Sequence, residues 1–198
     1  MPLSFVRTLA LPALMGERDM FARAVAGDAK AFRQIYDRHA ASVHRFLCDL
    51  FGDEPAADEA TQETFVRAYR ALASMRDQDR LVPWLFGIAR NVYLETLRQR
   101  KRTPLAIDDA DLGDAEEELA PTPETALLMR EADEVLSSAL LRLSPDRRAA
   151  LLLQMDHGLS YGEIAETLGW SLPKVKIEIH RARRALRVIV ETYLGGSR

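Results

Sequence analysis

Cysteine is almost missing from this chain. A single residue, Cys48, among 198 excludes a disulfide framework and any cysteine-rich metal site. Cys48 itself reads as a small buried hydrophobe. Long apolar runs are missing too. No window approaches the ~18 to 20 residues of a membrane span, so no membrane insertion is expected. No β pattern of useful length appears, and no internal repeat. There is no phosphate loop, no nucleophile–base pair and no metal-ligand cluster; His39, His44, His157 and His180 stand at no ligand spacing from the acids. The sequence therefore predicts no catalytic residue, cofactor or metal, and does not read as an enzyme. Met1 to Gly16 is mildly apolar, but Arg7 splits it and no small-residue cleavage site follows. It reads as a loose extension, with a signal peptide as the alternative. A cytoplasmic location is expected.

What is present suits a soluble, folded chain. Hydrophobic residues make up 47% and charged residues 29%, enough to bury a core and too apolar for wholesale disorder. The net charge of −3 hides an asymmetry. Between Thr103 and Met129 stand eight acids (Asp108, Asp109, Asp111, Asp114, Glu116, Glu117, Glu118, Glu124) and no Lys or Arg. Removing those eight leaves 27 basic against 22 acidic residues, so two mildly basic blocks flank an acidic segment.

Both blocks read as helix. Asp28 is a helix N-cap, and Phe32, Ile35, Tyr36, His39, Val43, Phe46, Leu47 and Leu50 recur at helical spacing until Gly52. A second helix follows Asp53 to Pro55. Ser74 to Arg80 is polar and loop-like. A third helix runs from about Pro83 to Lys101 and ends in Arg98, Arg100, Lys101 and Arg102. After Pro123 helical spacing resumes at Leu128, Ala132, Val135, Ala139, Leu140 and Leu143. Ser144-Pro145 opens a further helix that ends at Gly158. The segment 103–123, acidic and proline-bearing, reads as a flexible linker.

The strongest local signal lies at the C-terminal end. Ser160-Tyr161-Gly162-Glu163 is a capping box, Gly169-Trp170-Ser171 a tight turn, and a basic helix follows from Leu172 to about Tyr193. A short capped helix, a glycine turn and a second basic helix make a helix-turn-helix. Val175, Ile179, Ala182 and Leu186 share the inward stripe. The opposite side carries Lys174, Ile177, His180, Arg181 and Arg184, with Lys176, Arg183 and Arg187 flanking. Such a face can enter a major groove; a merely solvated helix is the alternative. Around Trp84, Phe86, Asn91 and Tyr93, aromatics and basic residues share one helix. They can stack on unpaired bases and hold a backbone, or Trp84 and Phe86 can be core.

Three segments resemble the extracytoplasmic-function (ECF) group of bacterial RNA polymerase sigma factors, of the sigma-70 family. Ala57-Asp58-Glu59-Ala60-Thr61-Gln62-Glu63-Thr64-Phe65-Val66-Arg67-Ala68-Tyr69 resembles the segment that docks on RNA polymerase. Pro83-Trp84-Leu85-Phe86-Gly87-Ile88-Ala89-Arg90-Asn91, with Arg98 to Arg102, resembles the −10 element helix. Leu143-Ser144-Pro145 through Ile164 to Gly169, with Val175-Lys176 and Arg181-Ala182-Arg183, resembles the −35 reading domain. The resemblance implies polymerase contact at Asp58, Glu59, Gln62, Glu63 and Phe65. It implies −10 contact at Arg76, Arg80, Trp84, Arg90, Asn91, Arg98, Arg100 and Lys101. It implies −35 contact at Lys174, Lys176, Ile177, Glu178, His180, Arg181, Arg183 and Arg184. Core RNA polymerase and promoter DNA would be the partners, and an anti-sigma factor is implied with them. The chain departs from the family's pattern at Ala60, Thr61, Lys174 and Glu178. An acid at Glu178 can accept from a cytosine amino group or pair with a basic neighbour.

The expected fold is all-α, with two helical domains joined by a flexible acidic linker. The parts are an extension (1–18), a polymerase-docking and −10 domain (19–102), the linker (103–123) and a helix-turn-helix −35 domain (124–194). Two other functions remain open at this point. One is a homodimeric helix-turn-helix regulator that binds operators without polymerase. The other is a helical hydrolase using the carboxylates near Asp58, Glu59 and Glu63.

Overall fold

A computed structural model describes residues 18–102 and 135–195. The N-terminal extension, the acidic linker and the start of the following block lie outside the described residues. Those described are helical, with no strand among them. Helix α1 covers residues 18–25 and α5 covers 135–141. Between and after them come α2 (Ala29–Phe51), α3 (Glu54–Ala71), α4 (Leu81–Arg102), α6 (Pro145–Met155), α7 (Tyr161–Leu168) and α8 (Leu172–Gly195).

Helix α2 begins where the sequence predicts. The Asp28 carboxylate accepts from the backbone N–H of Lys30 at 2.8 Å and of Ala31 at 3.3 Å. Its bond to Arg23 and these amides hold its carboxyl below the usual range. The helix ends at Gly52, whose φ of 65° closes the last turn. Helix α3 returns beside it with small buried residues, Ala57, Ala60 and Ala68. Its buried Thr61 and Thr64 donate to the carbonyls of Ala57 at 2.7 Å and Ala60 at 2.6 Å, which leaves neither hydroxyl orphaned. Helix α4 starts at Leu81, two residues earlier than the sequence pattern suggests. Pro83 falls in the first turn, where its missing N–H has no intrahelical partner to lose. The expected loop at 74–80 leaves a 3₁₀ turn (Leu72–Ser74) and contains a second (Gln78–Arg80), capped by Asp77. Helix α6 stops at Met155 rather than at Gly158.

Buried side chains of α1 to α4 and of α5 to α8 form one continuous core. The two halves therefore touch over an apolar seam. Phe46 of α2 meets Phe86 of α4 edge-on at 5.1 Å, and both rings contact His157, which follows α6.

Asp49 lies at the same seam. Burial, then the nearby Asp156, push its carboxyl up to about 6, against a smaller opposing effect of Arg45. The folded state keeps a proton that the unfolded chain releases from about pH 4 upward. This contribution to stability is present at low pH and is lost as pH rises through about 6. Asp49→Asn is therefore expected to stabilise the protein at pH 7.5 by about 1 kcal/mol. That is well short of the full shift, because part of the carboxyl stays in water. Urea denaturation at pH 7.5 and pH 4 checks this. Equal midpoints for both proteins at pH 7.5 would remove Asp49 as a source of strain.

Candidate nucleic-acid and polymerase interfaces

The helix-turn-helix is built as its sequence dictates. Ser160 Oγ accepts from the Glu163 N–H at 3.3 Å, and the Glu163 carboxylate accepts from the Ser160 N–H at 2.7 Å. That reciprocal bond holds the Glu163 carboxyl below its usual range. Gly169 takes a φ of 64°, which turns the chain out of α7 and into α8. Val175, Ile179, Ala182 and Leu186 are all buried, as the stripe predicts. Lys174, Lys176, Ile177, His180, Arg181, Arg183 and Arg184 are exposed. Three of the cations have neighbours: the Lys174 ammonium sits 4.1 Å from the Trp170 ring centre, Arg183 donates to Gln154, and Arg181 donates to Glu178 at 2.8 Å. Glu178 is recessed at 15% exposure and accepts from Arg147 and Arg181. The bond from Arg147 is the largest cause that holds its carboxyl ionised below the usual range. Of the two sequence readings of Glu178, the structure has the ion-paired one.

The face of α4 is occupied by the other half. Trp84 is half-buried and lines a cleft of about 350 Å3 with Arg80, Ile88 and Asn91 on one side and Glu166 and Thr167 of α7 on the other. Thr167 Oγ1 donates to the Pro83 carbonyl at 3.2 Å, and Arg80 pairs with Glu166 at 3.5 Å. Arg90, at 15% side-chain exposure, is engaged by Asp146 of α6. Asn91, Arg76 and Arg98 remain exposed. Arg100 pairs with Asp53 at 3.3 Å. The Lys101 side chain lies outside the described residues.

On α3, Asp58, Glu59 and Gln62 are exposed and Glu63 is partly so. His44 reaches Asp58 at 3.0 Å. Arg67 joins Glu63 at 2.7 Å to Glu95 of α4 at 2.8 Å. Phe65 differs from its neighbours. It is 4% exposed, packed edge-on against Tyr36 at 4.8 Å, and so supports this face from the core rather than presenting itself.

Sequence reasoning passed over Asp146, Arg147, Arg148 and His157, which join the halves or brace α8. The partners that give them these roles lie far away in the chain (Arg90 for Asp146, Glu178 for Arg147, Leu50 for Arg148, Phe46 and Phe86 for His157), so no local spacing marks them.

Residues 35–103 match Sigma-70 region 2, and residues 133–186 match Sigma-70, region 4. The class is thus a sigma-70-type transcription factor. The chain is 32% identical over 169 residues to the ECF RNA polymerase sigma factor SigL of Mycobacterium tuberculosis, covering 85% of this chain and 93% of SigL. It is 31% identical over 169 residues to ECF RNA polymerase sigma factor BldN of Streptomyces coelicolor, covering 85% of this chain but 63% of BldN. Among solved structures, CnrH in complex with the cytosolic domain of CnrY superimposes with a TM-score of 0.66 at 26% identity, over 89% of this chain and 97% of that one. The chain belongs to the ECF RNA polymerase sigma factors. The alternative of an operator-binding homodimer gives way to that membership. No helix among the described residues is long and apolar enough to cross a membrane.

Proposed function

We propose that this chain binds core RNA polymerase in the cytoplasm and directs it to promoters. The exposed face of α3, at Asp58, Glu59, Gln62 and Glu63, would dock on polymerase, because its acids would be repelled by DNA. The α4 face around Arg80, Trp84 and Asn91 would capture the −10 strand by stacking and backbone contact, with Arg76, Arg98, Arg100 and Lys101 along the strand's path. The cationic face of α8 would hold the −35 duplex. The observation that carries this reading is α8 itself, with its apolar stripe buried and its cationic side exposed behind a capped first helix. Strand capture requires α7 and α6 to leave α4, since Glu166, Thr167 and Asp146 cover it in the closed form. CnrH was solved with the cytosolic domain of CnrY, which supports a protein partner, the anti-sigma factor that the sequence resemblance implies, for this chain.

The test is transcription by core polymerase supplied with this chain on a pool of genomic promoters. Absence of any promoter-dependent transcript would defeat the reading. The double variant Gln62→Ala, Glu63→Ala should weaken holoenzyme assembly about tenfold, a loss of ~1.4 kcal/mol, with its melting midpoint nearly unchanged. Assembly at the wild-type level would remove α3 from the docking surface.

A further inference from the structure

We infer that Glu178 is a positioning residue for promoter reading. It fixes Arg181 on the face of α8 and draws Arg147 of α6 beside it, so that an Arg–Glu–Arg unit meets the upstream duplex. The inference rests on the reading of α8 as the duplex-binding helix.

The geometry is specific. One Glu178 oxygen accepts from Arg181 Nη1 at 2.8 Å, and the other from Arg147 Nε and Nη2 at 2.7 Å each. Helical geometry places Glu178 between the buried stripe and the outer face. The exposures agree: 15% for Glu178, 31% for Arg147 and 60% for Arg181. A carboxylate set this far behind an exposed guanidinium does not reach a base edge before it. Its effect must pass through the arginines.

That effect has a definite sign. A loose arginine accepts any phosphate, which adds affinity without sequence information. An arginine already held in one orientation loses less freedom on binding and can present its fork to a guanine edge. The carboxylate also removes one positive charge from the face, which lowers attraction to unselected duplex. Arg147 comes from a different helix, so the same contact ties the register of α8 to the start of α6.

The experiment uses holoenzyme made from core polymerase and the full chain, and selection from a promoter library randomised in the upstream element. Glu178→Gln, Arg181→Ala, Arg147→Ala and the Glu178→Gln, Arg181→Ala pair are compared. Glu178→Gln should flatten the preference at the same base pair that Arg181→Ala flattens, by about tenfold, with an unchanged melting midpoint. The paired variant should be no worse there than Arg181→Ala alone, and Arg147→Ala should act in the same direction. Three results overturn the inference alone. One is Glu178→Gln flattening a base pair that Arg181→Ala leaves intact, which is direct reading by the carboxylate. Another is Glu178→Gln leaving every preference unchanged. The third is a drop at all positions together with the melting midpoint, which is a structural role. If the wild-type holoenzyme selects no upstream sequence, the duplex-reading role of α8 and this inference fall together.

Discussion

Arg148→Ala is expected to lower the unfolding free energy by about 3 kcal/mol and to part the two halves. Arg148 is 5% exposed, yet its guanidinium faces backbone carbonyls. It donates to the Leu50 carbonyl in the last turn of α2, to that of Leu141 at 2.7 Å and to that of Leu143 at 3.3 Å. Carbonyls at a helix C-terminus carry partial negative charge, which offsets part of the cost of burying a cation. Burial nonetheless pushes the guanidinium pKa down. Alanine would leave three carbonyls without this donor, at about 1 to 3 kcal/mol each where water cannot replace it. Water reaches Leu141, so the total stays near the lower end. Arg148→Lys should fall between, since one ammonium cannot span the carbonyls of both halves. Urea denaturation reads the stability, and small-angle scattering reads the separation. If alanine changes neither the urea midpoint nor the radius of gyration, this contact does not hold the halves together.

Phe46→Ala should cost about 3 to 5 kcal/mol. Phe46 is fully buried and meets Phe86 at 5.1 Å and His157 at 5.6 Å, one ring from each half. Truncation opens a cavity at the seam and admits water. His157 reports on that directly. Burial lowers its pKa below 6.5, so the folded state prefers the neutral imidazole. Stability therefore declines through His157 as pH falls below about 6.5, opposite to the trend set by Asp49. In Phe46→Ala the His157 titration should move up towards its ordinary position. Proton NMR of the imidazole follows it. An unmoved titration with less than about 1 kcal/mol of lost stability would mean that the seam is not closed in solution.

The helix-turn-helix was legible because its determinants are local. Ser160 and Glu163 are three residues apart, Gly169 follows at once, and the buried stripe recurs at helical spacing. The limits of α2 were legible for the same reason, from Asp28 and Gly52. Trp84 was ambiguous because its environment is completed by α7, a helix whose position nothing near Trp84 encodes. The family resemblance implied polymerase contact at Phe65, yet Tyr36 of α2 covers it. Glu178 had two readings until Arg147, 31 residues earlier, proved to stand beside it. The partner of Arg90 lies 56 residues away, and the Leu50 carbonyl that Arg148 reaches across the seam lies 98 away, beyond any periodicity.

Helix α7 has two duties. Its C-cap Gly169 turns the chain into α8, which packs against it, while its C-terminal Glu166 and Thr167 sit on Arg80 and the Pro83 carbonyl. Uncovering α4 therefore moves α7, and α8, packed against it, must travel along. The closed molecule thus lacks a ruler: the interval between the two helices proposed to meet DNA reflects the packing of the halves on each other and not the interval between two promoter elements. That length has to be imposed by whatever surface holds the halves apart. Promoters with altered spacing should accordingly be discriminated by the assembled holoenzyme and not by this chain alone.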